Sequence, residues 1–153
     1  MRTKLIAALP AVMFMCGAWP GAAVQEPEEN TPTVPLVTSV GCVEKDGDTW
    51  FLTRATEPEV TEYPFPSAAE LQDAGSAALG SGRLQLVGVT DFLDVNGLLA
   101  SFDRAEHTAR ESANATGTIA EGRKLAVKGL YITSVEPHRV NLTSAMAIAD
   151  TCN

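Results

Sequence analysis

Residues 37–53, VTSVGCVEKDGDTWFLT, constrain the fold of this 153-residue chain more than any other stretch. Two runs rich in apolar and β-branched residues flank Asp46-Gly47, a dipeptide that tolerates the positive φ angles of a tight hairpin turn. The pattern predicts one strand over residues 37–45 and a second over residues 48–56. We interpret this hairpin as one wall of a small barrel and not as the rim of an active site.

Residues 57–82 interrupt the strand pattern. Their first part, EPEVTEYPFP, holds three prolines, which exclude a central strand. The next part, SAAELQDA, predicts a short helix, because Ser67 can cap its N-terminus and Glu70 can complete a capping box. We therefore expect an insertion with one short helix after the second strand.

Downstream segments return to strand patterns. RLQLVGVTDF, residues 83–92, predicts a third strand, and apolar residues at helical spacing predict a helix near residues 97–111. Residues 123–133 and 138–149 predict the last two strands.

The fourth strand, RKLAVKGLYIT, carries a specific expectation about side-chain direction. Alternation places Lys124 and Lys128 toward solvent, whereas Leu125 and Val127 point toward the core. Gly129 predicts a bulge or a close approach of another backbone.

The predicted order is β-β-β-α-β-β, with the insertion after the second strand. This order is typical of the OB-fold, a small Greek-key barrel of five strands. We therefore predict a mainly β, OB-fold-like barrel. An α+β sandwich with an open sheet is the alternative, disfavoured because it leaves an unpaired edge.

The start of the chain has the pattern of a secretory signal peptide over residues 1–23. MRTK supplies two cations, an apolar run follows, and GAA ends it with small residues. The apolar run is about 15 residues, shorter than the roughly 20 needed to span a bilayer, so a membrane anchor is disfavoured. We expect cleavage after Ala23, export to the periplasm or the extracellular space, and no integral membrane segment afterwards.

Lipidation at Cys16 is an alternative fate for this leader. It is disfavoured because Met15 stands where lipoprotein signals place a small residue. Residues 24–36, rich in Pro, Glu and Thr, predict a flexible segment, which leaves a single domain over residues 37–153.

Cleavage would also remove Cys16 and leave Cys42 and Cys152. An even pair of cysteines in an exported protein indicates one disulfide. The alternative, a redox or metal-binding thiol pair, lacks the short C-x-x-C spacing of such sites.

The charge balance argues against anionic partners. Removal of Arg2 and Lys4 from the 11 basic residues leaves 9 against 19 acidic ones, a formal charge of −10. Such an acidic chain repels the phosphates of nucleic acids and anionic membrane surfaces. We therefore predict no nucleic-acid partner.

Three segments, GCVEKDGDTWFLT, GRKLAVKGL and VNLTSAMAIADTC, resemble the small exported OB-fold-like domains of unknown function found in bacteria. In those domains a glycine-led first strand meets a hairpin with an aromatic residue and a leucine, and a glycine-basic strand follows later. The resemblance covers residues 38–56 and 121–152. It implies an OB-like fold and an exported address, and it transfers no catalytic residue.

FDRAEHTARE is the one pattern that suits a metal site. It places Asp103, His107 and Glu111 on one helical face at intervals of four residues, and these side chains bind divalent ions. A solvated helix face with stabilising ion pairs explains the same spacing, and no second ligand cluster lies opposite. We predict no cofactor and keep the metal site as an alternative.

Aromatic residues offer a candidate binding surface, since OB-folds bind oligosaccharides and other chains on an aromatic face. Trp50 lies in the hairpin, and Tyr63 and Phe65 lie in the proline-rich insertion. A core role is the alternative, above all for Trp50 or Phe51, because alternation buries only one of two neighbours. We expect residues 57–66, beside the first hairpin, to form the contact surface.

These observations favour a non-catalytic binding or structural module of the cell envelope or extracellular space. Its expected partner is a glycan, a peptide or an envelope protein. No G-x-S-x-G motif is present. The alternative is a small metal-dependent exported enzyme that uses Asp103, His107 and Glu111.

Overall fold

The computed structural model describes residues 34–100 and 115–152. This part of the chain is mainly β, as predicted. The elements, in chain order, are β1 (Leu36–Asp46), β2 (Thr49–Ala55), β3 (Glu59–Val60), α1 (Ala68–Ser76), β4 (Gly82–Val87), a 3-10 turn (Val89–Phe92), α2 (Val95–Ala100), β5 (Lys124–Ile132) and β6 (Arg139–Ala149).

The six strands form one sheet in the order β2-β4-β6-β5-β1-β3. Strand β2 also pairs with β1, so five of the strands close into a ring and β3 lies at its margin beside β1. The pair β4–β6 is parallel and all other pairs are antiparallel. Ring closure leaves few unpaired strand edges.

The interior of the ring holds the main hydrophobic cluster. Leu52, Leu125 and Val140 are fully buried in it, and they come from three different strands. Strand alternation explains their position, because every second side chain of a strand points to the same face. The prediction that Leu125 and Val127 face the core is confirmed.

The outer face of β1 and β5 is also covered, by α1. Ala74 of the helix packs against Val40 and Ala126 in a second hydrophobic cluster. The predicted capping box is present: the Glu70 amide donates to Ser67 Oγ at 3.2 Å, and the Ser67 amide donates to Glu70 Oε2 at 2.6 Å.

This second covered face makes the prediction for Lys128 wrong. The residue is 1 % exposed, although alternation placed it toward solvent. The pattern of β5 is correct, but the insertion covers the face that the pattern assigned to water. Lys124 is half-buried, and its ammonium donates to the carbonyls of Gly75 and Ala77 at the end of α1.

The strand predicted over residues 83–92 corresponds to β4 and is shorter than predicted. It ends at Val87, because Gly88 takes a left-handed conformation (φ 71°) and the 3-10 turn follows. The predicted helix near residues 97–111 begins earlier, at Val95, with its first turn held by Asp94 Oδ1. Its continuation beyond Ala100 lies outside the described residues.

Gly129 lies at a register shift between β5 and β6, as the bulge prediction required. A Cβ there would collide with the carbonyl oxygen of Asn141, so only glycine permits this approach of the two backbones. The shift offsets the alternation of β6 by one residue, so Val140 before it and Ala145 after it both lie in the interior cluster although they are five positions apart. Val140 is buried in the ring interior, whereas Met146 is 41 % exposed.

Cys42 and Cys152 form a disulfide, as predicted, with their Cα atoms 5.6 Å apart. It joins β1 to the segment that follows β6. Among residues 34–100 and 115–152, neither helix is long and apolar enough to cross a membrane. The predicted signal peptide and the Cys16 lipidation alternative lie outside the described residues, as does the part of the predicted flexible segment up to residue 33.

Candidate functional site

The side chain of Lys128 organises the insertion that follows β2. Its ammonium lies 2.7 Å from Glu70 Oε1 and donates to Thr61 Oγ1 at 3.1 Å. It also donates to the carbonyl oxygens of Tyr63 at 3.2 Å and Phe65 at 3.4 Å. One buried cation therefore connects β5 with α1 and with three residues of the insertion that precede this helix.

The electrostatics of this contact favour the charged pair. A buried ammonium is costly unless it is paired and hydrogen-bonded, and Lys128 has both kinds of partner. The hydrogen bond from Lys128, followed by those from Ser67, lowers the pKa of Glu70 from 4.5 to about 2. Glu70 therefore stays ionised over the physiological pH range.

Residues 59–65 form the outer surface of this assembly. Val60, Tyr63 and Phe65 are 78 %, 70 % and 68 % exposed. Their backbones are held in place: Val60 pairs with Val37 of β1, and Thr143 of β6 donates to the Pro64 carbonyl at 3.1 Å. We call Val60, Tyr63 and Phe65 the insertion surface.

A cleft of about 320 Å³ lies between the outer face of β1, the insertion and α1. Its apolar walls include Val40, Ala74 and Ala126. Its polar groups include the hydroxyls of Thr38, Ser39, Thr56 and Thr61 and the carboxylates of Glu59, Glu70 and Asp73. We call it the insertion cleft.

Trp50 lies far from the insertion surface. It pairs with Lys45 near the end of β1, whereas Val60 pairs with Val37 near its start. These two positions on β1 are about 25 Å apart at roughly 3.3 Å per residue. The structure therefore does not bring Trp50 together with Tyr63 and Phe65 in one groove, and the insertion lies beside the start of β1 and not beside the hairpin turn.

Trp50 instead lines a second cleft, of about 440 Å³, between the hairpin and α2. It is half-buried and packs against the ring interior, and Lys45 Nζ lies 5.5 Å from its ring centre. Asp48 and Thr90 add polar groups to the same cleft. Phe51 is buried on the opposite face, where the Arg83 guanidinium stacks 3.6 Å from its ring centre.

A further polar cluster lies where β5 and β6 are joined. The Tyr131 hydroxyl is 2.8 Å from His138 Nδ1, and His138 Nε2 is 2.9 Å from Glu136 Oε1. Burial, and then the negative charges of Glu57 and Glu136, raise the pKa of Tyr131. A raised pKa disfavours the phenolate form of this side chain.

The contacts of Lys128 with the insertion were not predicted from the sequence, and Glu70 was assigned only to helix capping. A lysine between apolar neighbours on both sides, as in LAVKGL, was the available signal. The metal-site residues Asp103, His107 and Glu111 lie outside the described residues. Within the described ranges, no group of three or more His, Cys, Asp or Glu side chains is arranged to hold a metal ion.

Comparison of the chain with protein-family models, with curated proteins and with solved structures found no match.

Proposed function

We propose that this protein is an exported binding module with an OB-type barrel and no catalytic role. The ring of five strands, its one parallel pair β4–β6 and the helical segment between β4 and β5 support the OB assignment. The disulfide and the signal-like leader support export.

The insertion surface is the proposed contact region. The observation that carries this proposal is that Lys128 fixes the backbone of a segment whose large apolar side chains stay exposed. Exposed apolar groups cost stability and solubility, and they commonly mark interaction sites when they cluster. A fixed backbone reduces the entropy lost on binding, so the surface is preorganised for a protein or peptide partner.

A random heptapeptide library displayed on phage tests the proposal. We expect the oxidised protein to select peptides whose binding falls at least tenfold in the double variant Tyr63→Ser/Phe65→Ser. Trp50→Phe is the control and should leave binding unchanged, because Trp50 lies opposite Lys45, which is about 25 Å along β1 from Val37, the residue paired with Val60. Thermal unfolding of each variant establishes that it is folded. Selected peptides that bind Tyr63→Ser/Phe65→Ser as tightly as they bind Trp50→Phe would refute the proposed surface.

The cleft beside Trp50 supports a second candidate function, the binding of a glycan. An indole ring next to a hydroxyl and charged groups can pack against a sugar ring and hydrogen-bond its hydroxyls. Titration with cell-wall oligosaccharides should then raise the melting temperature of the protein but not of Trp50→Leu. Equal shifts in both proteins would argue against this site.

The metal-dependent enzyme remains the alternative hypothesis from the sequence. It predicts that a divalent ion raises the melting temperature, that a chelator reverses the shift, and that His107→Ala abolishes it.

A further inference from the structure

The charge around the insertion surface is one-sided. Residues 57–73 contain five acidic residues and no basic one. Lys128 neutralises Glu70 from beneath the segment, which leaves the carboxylates of Glu59 and Asp73 on the wall of the insertion cleft. In the part of the chain that the structure describes, neither of these two carboxylates has an ion-pair partner.

The lining of the insertion cleft is complementary to a long cationic side chain. Lysine and arginine carry an apolar stem and a charged head, and they pack the stem on apolar surface while the head binds acceptors. The cleft supplies apolar walls from Val40, Ala74 and Ala126, and acceptors from Glu59 and Asp73. The volume of the cleft is about 320 Å³.

We infer that the partner of the insertion surface is a basic peptide segment, with one Arg or Lys side chain seated in the insertion cleft. Apolar residues next to that cation would contact Val60, Tyr63 and Phe65. Charge complementarity selects this occupant, since an acidic or phosphorylated segment would meet the like charges of Glu59 and Asp73. The inference rests on the proposed function, because it names the partner of the same surface.

The peptides selected from the phage library supply the test. We expect them to share an Arg or Lys flanked by apolar residues. In a synthetic peptide of that sequence, replacing arginine by citrulline removes the charge and keeps the shape, so affinity should fall about tenfold. Isothermal titration at 0.15 M salt measures each dissociation constant.

Variants of the protein locate the cation. Glu59→Gln/Asp73→Asn removes both charges from the cleft wall, and we expect about tenfold weaker binding of the arginine peptide. The same variant should bind the citrulline peptide as the unchanged protein does. Glu62→Gln is the matched control, because it removes an insertion charge that does not line the cleft, and it should change affinity less than threefold.

The outcomes separate this inference from the proposed function. Peptides that need Tyr63 and Phe65 but contain no basic residue, or that ignore Glu59→Gln/Asp73→Asn, overturn the basic partner and leave the binding surface intact. Peptides that ignore Tyr63→Ser/Phe65→Ser, or a library that yields no binder, overturn both.

Discussion

The ammonium of Lys128 lies 2.7 Å from Oε1 of Glu70, so one ion pair joins the middle of β5 to the first turn of α1. The two partners differ in environment: the Lys128 side chain is 2 % exposed and that of Glu70 is 43 % exposed. The same ammonium also donates to backbone carbonyls of the insertion. Stability and the shape of the proposed contact surface therefore depend on one side chain.

Replacing Lys128 by methionine tests this dependence. The change keeps the apolar stem but leaves Glu70 and the carbonyls of Tyr63 and Phe65 without their shared donor. We expect the free energy of unfolding to fall by about 2–3 kcal/mol, less than for a fully buried pair because Glu70 reaches solvent. Denaturant unfolding measures the loss. Lys45→Met, at an exposed position, should change stability by less than about 0.5 kcal/mol, and equal losses in both variants would contradict the assignment.

The pH dependence of stability gives a second prediction. The folded-state pKa of Glu70 is lowered from 4.5 to about 2, so its ionised form favours the folded state. The stability difference between the unchanged protein and Glu70→Gln should be constant above pH 5, decline as the pH falls from 4.5 toward 2, and vanish below that. Unfolding curves across this range check the profile.

The variant Lys128→Met supplies the control for that profile. Lys128 is the largest cause of the lowered pKa of Glu70, so in its absence the pH-dependent part of the difference should shrink. A profile that is the same with and without Lys128 would assign the effect to the Ser67 hydrogen bonds instead.

Local signals made part of this fold predictable. Asp46-Gly47 encodes its turn within two residues, and Ser67 with Glu70 encodes the start of α1 within four, so both were identified from the sequence. The disulfide followed from the count of cysteines expected after export.

The candidate site was less predictable because it depends on distant contacts. The alternation around Lys128 indicates which side chains share a face of β5, but it carries no information on what covers that face. The residues that cover Lys128 lie 58 to 67 positions earlier in the chain than Lys128 itself. Similarly, the exposure of Tyr63 and Phe65 was expected, but the distance of Trp50 from them depends on the pairing of β1 with β2 and β3.

Removal of the disulfide should destabilise the protein strongly. Cys42 and Cys152 are 110 residues apart, and closing a loop of that length restricts the unfolded chain by about 4–5 kcal/mol in the chain-entropy model. We expect Cys42→Ala/Cys152→Ala to lose stability approaching that amount. Reductant should lower the melting temperature of the unchanged protein and leave that of the variant unaffected. A variant as stable as the oxidised protein would show that the bridge does not restrict the unfolded state.

The two glycines Gly129 and Gly75 should respond to alanine in opposite directions. A Cβ at Gly129 would meet the backbone of Asn141 and the side chain of Val140, so β5 and β6 must move apart at the bulge. We expect Gly129→Ala to cost about 2–3 kcal/mol, the upper part of the usual range for forced overpacking. At Gly75, inside α1, an added Cβ has nothing within 4 Å, and alanine has the higher helix propensity. Gly75→Ala should therefore raise stability by about 0.5–1 kcal/mol. Denaturant unfolding of both variants compares them directly, and a neutral result at Gly129 would mean that the strands are less closely packed at the bulge than the structure places them.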